Sequence, residues 1–250
     1  MIDEILNLPQ AQAPFVITPQ LRRIENLNLE FPDYFEGIES LSRDDVTEIL
    51  SSERRTYKEK LFAILLWGIY FEVAQKGPKV NLINWVEQEN SESEIKIRFD
   101  EIANSDSPKK LFEVFQKDLK IPGLGYAYYT KIFYFVRKAE GKSIYPILDK
   151  WLMCAFTAIS GTLDGNTNVF KKYMKKAGQN IFDGGLRRKK PECYVEYVQL
   201  LTSIASEKNI EVDYLEEKLF GVDLRCDRSA NNPRNMYRDW AIKNGLKIDK

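Results

Sequence analysis

Apolar positions along this chain recur at helical rather than strand spacing, and they do so in segments of helix length. Thr56 to Gln75, TYKEKLFAILLWGIYFEVAQ, is apolar nearly all round in its middle, which predicts a central buried helix that stops at Lys76-Gly77-Pro78. Leu111, Phe112, Val114, Phe115 and Leu119 mark one face of a helix that Ser107 caps and Pro108 opens. Tyr126 to Ala139 predicts a further helix closed by Gly141, and Asp149 caps another over Lys150 to Ile159, ended by the glycine-rich stretch Gly161 to Gly165. Tyr194, Tyr197, Val198, Leu201, Ile204 and Ala205 share one face of a long amphipathic helix, and Val212 to Phe220 forms the next. Ser91 to Ser107 is polar and reads as loop, as does Cys226 to Arg234 before a short last helix. Period-two alternation never persists long enough to predict a sheet, short strands in the first 35 residues aside. The expectation is an all-α fold of two helical lobes, built as one domain over 1–250. A helical lobe spans about 40–107, a central segment 108–160, and the helices of 190–250 pack back.

Length and composition support that picture and narrow the chemistry. The chain has 250 residues, 44% of them hydrophobic, enough for a substantial core. Its most apolar uncharged run, Leu61 to Phe71, falls well short of the roughly 20 residues a membrane helix needs. The acidic start MIDEILNLPQ lacks the basic-then-apolar order of a signal peptide, so cytoplasmic residence is expected. Cys154, Cys193 and Cys226 are too widely spaced for a disulfide framework or for the close pairs of a zinc or iron–sulfur site. Histidine is absent, which excludes every mechanism that needs an imidazole and leaves Lys, Asp, Glu, Tyr or Cys to carry any catalysis.

The formal net charge of zero hides a strong asymmetry. Residues 1–107 hold 11 Lys and Arg against 20 Asp and Glu, residues 108–190 hold 17 against 6, and residues 191–250 hold 9 against 11. A concentrated basic segment attracts phosphates even in a neutral protein.

At the centre of that segment, Ile121-Pro122-Gly123-Leu124-Gly125 forms a tight turn that exposes backbone N–H groups at a helix start, where a phosphate can sit. Lys131 follows on the helix, with Ala127, Tyr128, Tyr134 and Phe135 as its three- and four-residue neighbours. Loss of hydration among rings disfavours an ammonium ion, and the neutral amine is the form that attacks carbon; an ordinary lysine here would instead snorkel to solvent. Asp149 comes eighteen residues after Lys131, and a helix-capping carboxylate held ionised by N–H groups can also stabilise a cationic transition state.

Taken together, GLGYAYYTKIFYF and the later Ile147-Leu148-Asp149 resemble the helix-hairpin-helix superfamily of base-excision DNA glycosylases, specifically its bacterial 8-oxoguanine DNA glycosylase-like branch. Trp67-Gly68 and Tyr214 to Phe220 look like the same branch, and the resemblance covers roughly residues 55–222. It implies that Lys131 is the nucleophile at the deoxyribose, that Asp149 is its partner, and that Gly123 and Gly125 hold the DNA backbone, with a monovalent cation at the hairpin as a possible structural aid. In better-known glycosylase/lyases the lysine stands two residues after the second hairpin glycine, where this chain has Ala127; Lys131 lies one helical turn on, on the same face. No iron–sulfur cluster is expected.

The resemblance further implies double-stranded DNA carrying a damaged or modified base as partner, no membrane, and a monomer. Lys120, Arg187 and Arg188, together with Lys109, Lys110, Lys189 and Lys190, are candidate phosphate contacts, while Tyr126, Tyr128 and Trp151, with Tyr129 and Tyr134, are the local stock of rings for a flipped base. 8-Oxoguanine is the foremost base. Competing readings are a glycosylase for a modified cytosine such as that of phage DNA, a non-catalytic helix-hairpin-helix DNA-binding module, and a plain helical interaction protein.

Overall fold

The computed structural model of the protein describes residues 1–8, 15–16, 33–73, 76–163, 191–221 and 232–244. In chain order the first elements are α1 (Ile2–Leu6), β1 (Phe15–Val16), β2 (Ser40–Leu41), α2 (Arg43–Ser51), α3 (Tyr57–Trp67), α4 (Tyr70–Val73), α5 (Lys76–Val86) and α6 (Ser91–Asn104). There follow α7 (Pro108–Gln116), α8 (Tyr126–Ala139), α9 (Lys150–Leu163), α10 (Pro191–Lys208), α11 (Val212–Phe220) and α12 (Pro233–Lys243). Among the described residues the fold is all-α apart from a two-residue antiparallel ladder that pairs Phe15 with Leu41 and Val16 with Ser40. Among the described residues no helix is long and apolar enough to cross a membrane. Backbone contacts divide the chain into two compact units, Ala13–Tyr145 and a second made of Met1–Gln12 with Pro146–Lys250.

In the Ala13–Tyr145 unit, α8 packs against α2, α3, α6 and α7. Capping boxes start two of these partners: Ser42 and Asp45 exchange side-chain and backbone bonds at α2, and Thr56 and Glu59 do so at α3. Leu61 through Trp67 are all buried, the all-round apolar pattern the sequence shows. The helix breaks where the sequence predicts it to continue. Gly68 ends α3, Ile69 adopts φ +53, and the reversal brings the fully buried Tyr70 and Phe71 back into the core. A β-branched residue with positive φ is sterically costly and persists only because its surroundings hold it.

Two further expectations are corrected. Lys76-Gly77-Pro78 opens α5 instead of closing a helix, because a proline in the first turn gives up an N–H that has no intrahelical partner there. Ser91 to Asn104 is a helix rather than a loop: Ile95, Arg98, Phe99 and Ile102 form its buried stripe, sparse because one of the four is an arginine. Arg137 locks this helix to α8. Its guanidinium donates to the carbonyls of Ile102 (3.1 Å), Ser105 (2.7 Å) and Ser143 (2.6 Å) and lies 4.0 Å from the Tyr145 ring.

In the other unit, α9 packs against α11 and α12, and α11 also against α1, α10 and α12. Leu152 through Ser160 are buried without a break on α9, which runs through Gly161 to Leu163 because packing overrides the weak helix preference of a lone glycine. Cys154 and Cys193 are buried, while Cys226 lies outside the described residues. Arg234, buried on α12, donates to the Phe220 carbonyl (2.8 Å) and sits 4.9 Å from the Trp151 ring.

Candidate active site

The Ile121–Leu124 turn is closed by a bond from the Leu124 N–H to the Ile121 carbonyl (3.2 Å), with Pro122 and Gly123 as its central pair and φ +80 at Gly123. That is the arrangement of a type II turn, in which the third residue must be glycine or pay for a left-handed backbone. A second constraint acts on Gly123: a Cβ there would stand 2.1 Å from the Pro78 carbonyl oxygen. Gly125 differs. It is the N-cap of α8 with φ −105, and a Cβ would meet nothing within 4 Å. Its carbonyl accepts from Tyr128 and Tyr129, while among the described residues no protein acceptor takes the N–H of Gly125 or Ala127. The backbone at Gly125 is therefore open to an approaching anion, as the first turn of any helix favours.

Three side chains fix the hairpin from within the unit. Arg98 Nε donates to the Leu119 carbonyl (3.1 Å), the Tyr129 hydroxyl to that of Ile121 (3.4 Å), and the Tyr70 hydroxyl to that of Gly123 (3.1 Å). Burial holds both phenols protonated: that of Tyr129 is pushed up to about 12, and that of Tyr70 higher still.

Lys131 lies one turn into α8 and is 5% exposed. Its amine stands 5.9 Å from the centre of the Trp67 ring and 5.8 Å from that of Tyr128, so the aromatic surroundings expected from its helical neighbours are present, with Trp67 added from α3. Gly68 makes this possible. A Cβ there would come within 3.0 Å of Lys131 Cδ and 3.2 Å of Cε, so the bare backbone leaves the channel in which the lysine stem runs. The Gly68 carbonyl also accepts the Tyr128 hydroxyl (3.3 Å), and the Tyr128 ring meets Tyr70 edge-on at 4.9 Å. Trp67 also faces the buried guanidinium of Arg43, at 5.2 Å.

These supports were not assigned individually from sequence. Tyr70 and Arg98 carry no local motif, and Trp67-Gly68 registers only as part of a resemblance. The usable signal was a glycine inside an otherwise unbroken apolar run.

In the other unit, Asp149 caps α9 as expected: its Oδ1 accepts from the N–H groups of Trp151 (2.9 Å) and Leu152 (3.1 Å). It is half-buried. Burial, followed by the Glu216 and Asp149 carboxylates, holds the wholly buried Tyr197 phenol well above its usual range. Trp151 is half-buried beneath Arg234.

Of the remaining candidates, Lys109, Lys110 and Lys120 are exposed and Tyr126 is half-buried. Tyr129 and Tyr134 are core residues, 3% and 0% exposed. Arg187, Arg188, Lys189 and Lys190 lie outside the described residues. Among the described residues no group of three or more His, Cys, Asp or Glu could hold a metal ion.

A family model described as "Putative 8-oxoguanine DNA glycosylase OGG-like protein" matches residues 13–220 of the chain. No curated protein and no solved structure matches it.

Proposed function

Because the chain belongs to the 8-oxoguanine DNA glycosylase OGG-like family, we propose that it excises a damaged base from duplex DNA with Lys131 as nucleophile, and that it then nicks the abasic strand. The observation that carries this reading is the buried amine of Lys131, held among rings one turn beyond a hairpin whose Gly125 backbone is open. A surface lysine has no need of a glycine channel for its stem.

In the proposed reaction the target nucleotide leaves the stack and the neutral amine of Lys131 attacks C1′ as the bond from C1′ to the base breaks. The departing base takes up one proton of the amine, and the ring oxygen O4′ takes up the other as the C1′–O4′ bond breaks and the sugar opens to a Schiff base. Removal of a proton from C2′ then expels the 3′ phosphate by β-elimination. Asp149 is assigned the stabilisation of the positive charge that develops on the sugar, on the strength of its sequence interval from Lys131 and its fixed, N–H-bonded carboxylate. The Gly123–Gly125 hairpin is assigned the phosphate on the 3′ side. 8-Oxoguanine is the base proposed, from the family.

Base release from a panel of duplexes, each bearing one modified base, tests the reading. Release of free 8-oxoguanine by the protein and not by Lys131→Gln is expected. Release only of a modified cytosine would move the substrate assignment, and DNA binding without release of any base would leave a binding module in place of an enzyme.

A further inference from the structure

The resemblance places a monovalent cation at the hairpin, where it would draw the carbonyls together. Such an ion is held by a cage of carbonyl oxygens that replaces its hydration shell. In this protein the alternate hairpin carbonyls already have donors: Arg98 Nε on Leu119, the Tyr129 hydroxyl and the Leu124 N–H on Ile121, and the Tyr70 hydroxyl on Gly123. The first of these donors is itself a cation. Arg98 is 8% exposed and is fixed at its other end by the Glu94 carbonyl (2.8 Å) and carboxylate (3.3 Å), with the Trp85 ring 5.1 Å away. Trp85 Nε1 in turn donates to the same Glu94 carboxylate (3.1 Å), which holds the group in one orientation. A mobile ion on the Leu119 oxygen would meet a buried positive charge that cannot move away.

We infer that Arg98 acts as a resident cation at the hairpin, a positioning residue that holds the Leu119 carbonyl while the Tyr129 and Tyr70 hydroxyls hold those of Ile121 and Gly123, so that the Gly125 backbone is left outward for a phosphate with no monovalent ion in the site. An exchangeable ion stabilises a protein by an amount that grows with the logarithm of its concentration over its dissociation constant; a covalently attached guanidinium does not respond to salt identity. The phosphate half of the inference rests on the proposed function, whereas the cation half does not.

Thermal unfolding of the full chain is therefore compared in potassium, sodium and tetramethylammonium chloride at matched ionic strength, tetramethylammonium being too large for a carbonyl cage. Superimposable transitions are expected, and a higher midpoint in potassium or sodium overturns the inference whether or not the protein binds DNA. Affinity for a duplex carrying an abasic-site analogue is measured in the same salts and should be equal within about twofold, against a tenfold or greater gain from a true ligand ion. Arg98→Gln, which removes the charge, should weaken duplex binding by about tenfold and acquire a potassium dependence. An Arg98→Gln protein with unchanged affinity and unchanged salt response also overturns it. Should Arg98→Gln fail to fold, the melting comparison on the parent protein still decides. Absence of duplex binding in every salt would instead sink the proposed function and leave that comparison standing.

Discussion

Gly123 and Gly125 stand two residues apart in one turn, yet replacing each by alanine should have opposite consequences. At Gly123 the methyl group meets two penalties. The left-handed backbone, φ +80, costs an L-residue about 1–2 kcal/mol, and the new Cβ would lie 2.1 Å from the Pro78 carbonyl oxygen, a backbone atom that moves only if α5 moves. Overpacking of this kind costs roughly 1–3 kcal/mol, so the total is about 2–5 kcal/mol, a large part of a typical domain's stability. At Gly125, where φ is −105 and the methyl group meets nothing, alanine is a poorer N-cap by under about 1 kcal/mol but restricts the unfolded chain by a similar amount. Urea unfolding followed by circular dichroism should thus show Gly123→Ala shifted down by about 1 M or more and Gly125→Ala close to the parent. Duplex affinity should fall in Gly125→Ala by about tenfold despite its intact fold, since the methyl group takes the space of the phosphate. A Gly123→Ala protein as stable as the parent would refute the turn geometry, and a Gly125→Ala protein with parental affinity would refute the assignment of the phosphate.

Other outcomes follow from the same geometry. Gly68→Ala should leave the unfolding midpoint nearly unchanged but slow single-turnover base release by about tenfold, because a shift of a few tenths of an ångström in the Lys131 stem displaces the amine. Arg137→Met strands the carbonyls of Ile102, Ser105 and Ser143, and should cost about 3 kcal/mol or more in equilibrium unfolding. The Tyr129 phenol titrates near 12 in the folded protein against an ordinary value of 10.0, so the native state keeps a proton that the unfolded chain releases. Its contribution is full below pH 10 and is lost as pH rises toward 12; Tyr129→Phe should flatten that part of a stability profile measured by urea midpoints.

How far the sequence carried depended on where the physical signal was local. The ends of α8, the Ser107 cap and the Asp149 cap each rest on one or two residues with a strong conformational preference, and all were legible. Lys76-Gly77-Pro78 misled because the same three residues suit the outside of one helix and the first turn of the next. Ser91 to Asn104 was missed because a buried arginine interrupts its apolar stripe, and an arginine counts as buried only once its acceptors, the Leu119 and Glu94 carbonyls, are in place. The break at Gly68 depends on tertiary packing that holds Ile69 in a costly conformation. The aromatic neighbours of Lys131 on its own helix follow from spacing, whereas its role as nucleophile rests on the resemblance. Trp67, Gly68 and Tyr70 reach the site only through the fold.

Attack of Lys131 on a deoxyribose carbon can be trapped by borohydride reduction during reaction with a duplex containing 8-oxoguanine, followed by mass mapping of the linked peptide. A covalent protein–DNA adduct carried by the Lys131 peptide and absent from Lys131→Gln is expected. An adduct mapped to another residue, or none with either a lesion or an abasic duplex, would contradict it.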